Sequence, residues 1–203
     1  NAIAKEHALL VVEDAAEAHG AVYKDRPVGT LGDLAAFSLY VAHIISTVEG
    51  GIVTTNTPEY AEILRSLRSH GRACACESCV LNTASAYCAK RFAYGENNDI
   101  RFVFERVGFS TKMNELEAAV GLGNLEEYDT ILMRRRKNLY HLIDHFTPFS
   151  PHLLTIRKEP YEEIGPHAFP IILGEKAPFT RNELTAHLEE TGIDTRTLFS
   201  SIP

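Results

Sequence analysis

The sequence lacks the features of a membrane or nucleic-acid-binding protein. No apolar run approaches the roughly 20 residues needed to cross a bilayer, and the start has no signal-peptide pattern. A basic excess is also missing, since 27 acidic residues outnumber 20 basic ones and give a net charge of -7. Because phosphate neutralisation needs a basic surface, a nucleic-acid partner is not expected. A cytoplasmic protein is the default expectation.

Cysteine is scarce, and its distribution argues against a disulfide framework. The four cysteines all fall in one short window, at Cys74, Cys76, Cys79 and Cys88. A disulfide framework would spread its cysteines through a small secreted chain. Clustering favours a local metal site or simply reduced thiols.

The composition and the order of elements predict an α/β protein. With 203 residues, 45% of them apolar and 23% charged, the chain can hold one ordinary domain or a core with a small second unit. Apolar runs predict strands, and caps with helical periodicity predict helices. The strands are expected at 8–13, 34–40, 51–55 and 168–173, and the helices at 58–68, 113–125, 127–146 and 180–191. Asn114 or Thr111 is expected to cap the second helix, and Thr180 with Glu183 to form a capping box on the last. Residues 195–199 would continue the structure after that helix.

The pattern changes after residue 147. Pro148 and Pro151 break the helical periodicity, and a short strand and a helix follow. We therefore predict part of a large domain at 1–126, a connecting helix at 127–147 and an incomplete small α+β unit at 148–203. Both ends of the chain suggest a fragment of a longer protein. The basic run 134–137 is interpreted as the solvated face of the connecting helix.

Polar side chains stand at the ends of two predicted strands. Asp14 follows the first strand, Ser38 lies near the end of the second, and His43 comes just after it. In α/β folds this edge of the sheet is where small molecules bind. Asp14 could instead cap a following helix, and His43 could be an ordinary core or surface histidine.

Five stretches carry a family resemblance through their order and spacing. They are residues 12–21, 28–33, 37–51, 67–72 and 107–122. Together they resemble the sugar aminotransferases often called the DegT/DnrJ/EryC1/StrS family. The resemblance implies a fold type I pyridoxal-phosphate enzyme with a mixed, mostly parallel sheet, helices on both faces and a small C-terminal domain.

The resemblance also implies roles for single residues. Asp14 would keep the pyridine nitrogen of the cofactor protonated. Glu17 falls where the family usually has Gln or His near the ring hydroxyl, and Ser38 matches a phosphate-binding hydroxyl. Ser110 stands where an Asn commonly reaches the phosphate of the neighbouring subunit's cofactor. Such enzymes are homodimers with shared active sites.

His43 occupies the position of the lysine that normally tethers the cofactor. An imidazole cannot form that imine, but it can move protons near neutral pH. Histidine here resembles the nucleotide-sugar 3-dehydratases, which hold pyridoxamine phosphate without a covalent bond. C3 dehydration of a nucleotide-linked 4-keto sugar, with His43 as acid/base, is the preferred hypothesis. A sugar aminotransferase and a non-catalytic homologue are the alternatives.

The cysteine window resembles the cluster region of an iron–sulfur member of that branch. Cys74, Cys76 and Cys88 align with three of its [2Fe–2S] ligands, and Cys79 is the only remaining thiol that could complete four. Four thiolates in one loop suit either an iron–sulfur cluster or zinc. Free thiols are the alternative. A reductase partner would then be possible.

Overall fold

A computed structural model describes residues 1–198 as a mixed α/β structure. In this part of the chain the helices are α1 (Ala2–Glu6), α2 (Pro58–Leu67), α3 (Val80–Thr83), α4 (Glu115–Glu126), α5 (Tyr128–Phe146) and α6 (Arg181–Glu190). The strands are β1 (Val12–Asp14), β2 (Val22–Tyr23), β3 (Arg26–Pro27), β4 (Leu34–Ser38), β5 (Gly51–Thr54), β6 (Leu153–Leu154), β7 (Glu162–Glu163) and β8 (Ile172–Leu173). Short 3-10 turns lie at Ile100–Phe102 and Thr147–Phe149.

The central sheet has the strand order β1-β4-β5 and is mixed. β1 runs parallel to β4, with Asp14 opposite Ala36, whereas β5 runs antiparallel, with Gly51 opposite Ser38. Because parallel strands end at the same edge, the segments after Asp14 and Ser38 emerge side by side.

Two smaller sheets connect distant parts of the chain. β7 lies in the predicted C-terminal unit and pairs with β2, placing Glu163 opposite Val22. β6 and β8 form an antiparallel pair. The segment that contains β7 therefore returns to the region just after β1. The division at residue 148 stays a prediction.

The predicted strands are all too long. The first was expected at 8–13, but its ladder starts with Val12 opposite Leu34. Leu9 and Leu10 are 58% and 62% exposed, because within residues 1–198 no other strand covers that edge. The strand expected at 34–40 ends at Ser38, where the chain turns, and the one at 168–173 shrinks to β8.

The helices follow their local signals closely. α2 begins at Pro58 after Thr57, as predicted. Asn114, rather than Thr111, caps α4, and its side chain accepts from the backbone N–H of Leu116 and Glu117. Thr180 and Glu183 form the predicted capping box of α6. The segment expected to follow α6 as strand-like (195–199) extends beyond the described residues.

The basic run on α5 is not simply solvated, and that interpretation is wrong for two of its members. Arg134 and Lys137 are exposed, but Arg135 and Arg136 are half-buried. Arg135 Nη1 lies 3.1 and 3.2 Å from the carbonyl oxygens of Pro166 and His167, to which it donates. Arg136 donates to the carbonyl of Gly20. α5 therefore ties the turn after β1 to the segment before β8.

Much apolar surface is left uncovered. The chain exposes 14828 Å², whereas a compact monomer of its 22.6 kDa exposes about 9,500 Å². Val107 and Leu116 are 88% and 82% exposed. Exposed apolar surface on this scale is typical of protein that packs against further protein. Within residues 1–198, no helix is both long and apolar enough to span a bilayer.

Candidate functional site

Asp14 lies at the carboxyl end of β1, with its side chain exposed. Its Oδ1 accepts a hydrogen bond from the N–H of Ala16 at 3.2 Å. The chain then turns rather than entering a helix, and the next helix begins only at Pro58. The helix-cap alternative for Asp14 is therefore wrong. The carboxylate remains available at the sheet edge.

The neighbouring carboxylate, Glu13, faces the loop between β3 and β4. Its Oε1 accepts from the N–H groups of Leu31 and Gly32 at 2.6 and 2.7 Å, and its Oε2 from Gly29 at 2.9 Å. Burial raises the pKa of Glu13, but these N–H groups and Arg26 lower it more, so the net pKa lies below its ordinary value. Glu13 thus anchors the loop while Asp14 stays free. Sequence reasoning missed this role.

Ser38 ends β4 and is fixed by two local contacts. Its Oγ accepts from the N–H of Tyr40 at 3.1 Å. Its carbonyl oxygen accepts from Nε2 of the buried His19 at 2.9 Å. His43 follows in a turn closed by its own N–H, which donates to the carbonyl of Tyr40. The strand end therefore sets the position of His43.

His43 is enclosed by protein on most sides. Its side chain is 14% exposed, and its ring packs edge-on against Tyr40 and His167. Nε2 lies 3.9 Å from Oε1 of Glu17. Nδ1 is buried and has no hydrogen-bond partner among the described residues. An unpaired buried imidazole nitrogen is costly, which suits a group that meets a bound molecule.

His167 is a site residue that sequence reasoning missed. It lies in the segment before β8, yet its Nε2 is 3.3 Å from Oε1 of Glu17, and its side chain is 19% exposed. Burial lowers the pKa of His167, while Glu17 opposes the shift and His43 and Arg135 add to it. No motif marks it in the sequence, because it meets Glu17 only through the tertiary fold.

A cleft of about 460 Å³ opens beside these groups, lined by Asp14, Ala16, Glu17, Ala18 and Gly165. A side-chain carbon on Gly165 would lie 3.1 Å from Cα of Ala18, a tight contact that would require the Gly165 segment or the turn to shift by a few tenths of an ångström. The structure thus groups Glu17, His43 and His167, and Asp14 lines the same cleft as Glu17. Ser38 lies on the adjacent strand end, and neither Ser38 nor His43 is among the residues that line the cleft.

Ser110 lies apart from this group. It is exposed and forms an isolated antiparallel bridge with Ser69. Its neighbours Phe109 and Thr111 line a larger open cleft of about 1180 Å³ beside β5 and α2, but Ser110 itself does not. Its expected contact with a neighbouring subunit's cofactor stays a prediction.

None of the four cysteines forms a disulfide, and three of them are half-buried while Cys76 is exposed. Burial raises the pKa of Cys74, and the nearby Cys76 raises it further. In residues 1–198, no three cysteine sulfurs lie within 4.8 Å of one another. Assembly of a four-thiolate site would therefore require the loop to rearrange, and the metal stays a prediction.

Comparisons with known proteins agree with this architecture. The chain is 39% identical to dTDP-4-dehydro-2,6-dideoxy-D-glucose 3-dehydratase of Saccharopolyspora spinosa over 97% of its own length and 43% of that protein. It is 33% identical to GDP-perosamine synthase of Caulobacter vibrioides, over 97% of its own length and 47% of that protein.

A solved GDP-4-keto-6-deoxymannose-3-dehydratase with bound GDP-perosamine superposes with a TM-score of 0.79 and 25% identity, covering 96% of this chain and 48% of that one. The predicted fold type I architecture is thereby confirmed. The chain spans less than half the length of each of these relatives. Because the family's sequence profile matches residues 1–203, the chain belongs to the DegT/DnrJ/EryC1/StrS aminotransferase family.

Proposed function

We propose that this protein acts on a nucleotide-linked 4-keto sugar with a pyridoxal- or pyridoxamine-phosphate cofactor, and that it removes the C3 hydroxyl as water. The observation that carries this proposal is His43. An imidazole with a buried, unpartnered Nδ1 stands where most of the family keeps a lysine. It can accept and return a proton, but it cannot tether the cofactor.

The residues around the cleft fit such a cofactor. A carboxylate at a strand end, as in Asp14, suits a protonated pyridine nitrogen, and the Ser38 hydroxyl suits a phosphate oxygen. The unpaired Nδ1 of His43 offers a further polar contact next to them. When bound, pyridoxamine phosphate supplies an amine that condenses with a carbonyl and a ring that accepts electrons.

The protein's own residues then hold and transfer protons in a site that is partly shielded from water. His43 removes a proton, and its burial limits exchange of that proton with solvent. Asp14 keeps the ring nitrogen charged. Ser38, held by Tyr40 and His19, fixes the phosphate end. The relatives support a nucleotide sugar as substrate, since their names describe enzymes of that chemistry.

Amino transfer is the second candidate, because a GDP-perosamine synthase is 33% identical to the chain. The two activities differ at His43, since transamination in the family uses lysine both as tether and as proton carrier. A non-catalytic homologue is the third candidate. It predicts that neither form of the cofactor raises the melting temperature, whereas an enzyme is stabilised by mass action.

The test compares the wild-type protein with His43→Asn and with His187→Asn, an exposed histidine on α6. We expect His43→Asn to lower dehydration of a 4-keto sugar nucleotide by roughly 10²- to 10⁴-fold, the range of general acid–base catalysis. The control should keep full activity. Full activity of His43→Asn, or a lysine adduct fixed by borohydride in the wild type, would overturn the proposal.

We also propose two assembly features from the family resemblance. The exposed apolar surface supports a homodimer with shared active sites, which sedimentation of the protein tests. Cys74, Cys76, Cys79 and Cys88 are proposed to bind a [2Fe–2S] cluster or zinc, with a reductase as electron donor in the first case. Elemental analysis of anaerobically purified protein that finds neither iron nor zinc would remove the metal proposal.

A further inference from the structure

Glu17, His43 and His167 meet although they are far apart in the sequence. Glu17 follows β1, His43 follows β4, and His167 precedes β8. A single carboxylate oxygen, Oε1 of Glu17, lies 3.3 Å from Nε2 of His167 and 3.9 Å from Nε2 of His43. The two imidazole rings stand perpendicular with their centres 4.9 Å apart. One acceptor therefore faces the same nitrogen of both rings.

Glu17 is much more exposed than the two imidazoles that it faces. The imidazoles are 14% and 19% exposed, whereas the Glu17 side chain is 59% exposed. A solvated glutamate is conformationally free unless a partner holds it, and ordering it costs side-chain entropy. The nearer partner is His167. Its contact with Oε1 restrains the carboxylate on the side that faces His43.

His167 is itself held from behind. Arg135 of α5 donates to the carbonyl oxygens of Pro166 and His167 at 3.1 and 3.2 Å. These bonds fix the backbone from which the imidazole projects. A chain of contacts thus runs from α5 through His167 and Glu17 to His43.

The unpaired nitrogens indicate the proton arrangement. Nδ1 of His43 and Nδ1 of His167 are buried without a partner in the described part of the chain, while both Nε2 atoms face Glu17. A carboxylate accepts and does not donate, so each Nε2 that faces it is stabilised as N–H. In a neutral imidazole the other nitrogen is then bare and can accept a proton.

We propose that Glu17 and His167 are positioning residues for His43: Glu17 fixes the Nε2–H tautomer, and His167 holds the Glu17 carboxylate in place. This inference rests on the proposed function, because it assigns to His43 a proton-accepting Nδ1. It also gives Glu17 a role that a neutral Gln at the same position fulfils only in part, since Gln lacks the negative charge that attracts the two Nε2–H groups across 3.3 and 3.9 Å.

The test reads the tautomers directly, in the protein without cofactor. Long-range ¹H–¹⁵N spectra separate Nε2–H from Nδ1–H imidazoles, and His43→Asn and His167→Asn assign the two signals. We expect both rings as Nε2–H in the wild type. Glu17→Gln should shift both signals toward mixed tautomers, whereas Glu175→Gln, an exposed control on the loop after β8, should leave them unchanged.

Kinetics with cofactor give the second reading. We expect Glu17→Gln and His167→Ala to lower kcat by about tenfold to a hundredfold, with KM little changed. This loss is smaller than the loss expected for His43→Asn, because the acid–base group itself is still present. His167→Gln, whose amide can still donate to Glu17, should recover most of the loss. The affinity for pyridoxamine phosphate should stay within about twofold in the two His167 variants, because His167 is not among the residues that line the cleft.

Two results would overturn the inference. One is that Glu17→Gln leaves both imidazole signals where they are. The other is that His167→Ala and His167→Gln lose the same activity. Neither result touches the proposed function, which stands or falls with His43→Asn. Conversely, full activity of His43→Asn removes the proposed function even if the tautomers respond to Glu17.

Discussion

Replacing Glu13 with Gln tests how the sheet edge is built. The carboxylate accepts three backbone N–H groups from the loop before β4, two on Oε1 and one on Oε2. Gln keeps one carbonyl oxygen and turns the other atom into a donor. In Glu13→Gln at best two of the three hydrogen bonds survive, and their acceptor is no longer charged. The third backbone N–H, such as that of Gly29, then faces the NH₂ group of the Gln side chain, which cannot accept.

The magnitude follows from these contacts. Leaving one half-buried donor unpaired costs about 1 to 3 kcal/mol, and loss of charge in the two remaining bonds costs about 1 kcal/mol each. Partial exposure of the site keeps the sum near the lower end, at about 3 kcal/mol. For a chain of this length, that corresponds to a fall in Tm of about 6 to 12 °C.

The stability contributed by Glu13 should also depend on pH. The pKa of folded Glu13 lies below its ordinary value of 4.5. Its contribution to stability is therefore complete above about pH 4.5 and is lost as the pH falls through the lowered folded value. The gap between the wild type and Glu13→Gln should be full at pH 7 and shrink toward pH 3.

Thermal melts followed by circular dichroism measure both effects, with Glu175→Gln as an exposed control expected within about 0.5 kcal/mol. The anchoring role of Glu13 is refuted if Glu13→Gln has the same Tm as this control, or if the stability difference between the wild type and Glu13→Gln does not change with pH.

Three further substitutions test other parts of the fold. Asn114→Ala removes the capping box of α4 and should cost about 1 kcal/mol in chemical denaturation; no change would mean that the cap contributes nothing. Gly165→Ala puts a carbon 3.1 Å from Cα of Ala18, so titration with pyridoxamine phosphate should show weaker binding, and unchanged affinity would argue against this cleft as the cofactor site. Arg136→Met should lower the free energy of unfolding by about 1 to 3 kcal/mol, because the carbonyl of Gly20 loses its donor. Arg134→Met on the exposed face should change it by less than about 0.5 kcal/mol. Equal effects would contradict a stabilising contact between Arg136 and Gly20.

Local signals in the sequence determined the helices well. Thr57 with Pro58, Asn114 with Glu117, and Thr180 with Glu183 place helix starts through bonds and angles within a few residues. Such contacts form wherever the chain goes, because they depend on neighbours in sequence. The four predicted strands overlap β1, β4, β5 and β8 but were drawn too long, since a strand ends where its partner ends. The two-residue strands β2, β3, β6 and β7 were not predicted. Leu9 and Leu10 look like strand residues, yet they have no ladder partner in residues 1–198.

The candidate site likewise contains residues that the sequence predicts and residues that it does not. Asp14, Ser38 and His43 could be found from the sequence, because each lies at or just past the end of a predicted strand, and parallel strands bring their ends together. His167 and the role of Arg135 could not. No periodicity or motif links residue 167 to residue 17, and their contact exists only because the segment after α5 returns to the turn after β1. The sequence by itself therefore determined the family and the chemical groups at the sheet edge. The tertiary structure alone decided which partners hold those groups, since such contacts join residues from 26 to 150 positions apart (43 − 17 and 167 − 17), and local preferences act over a few residues.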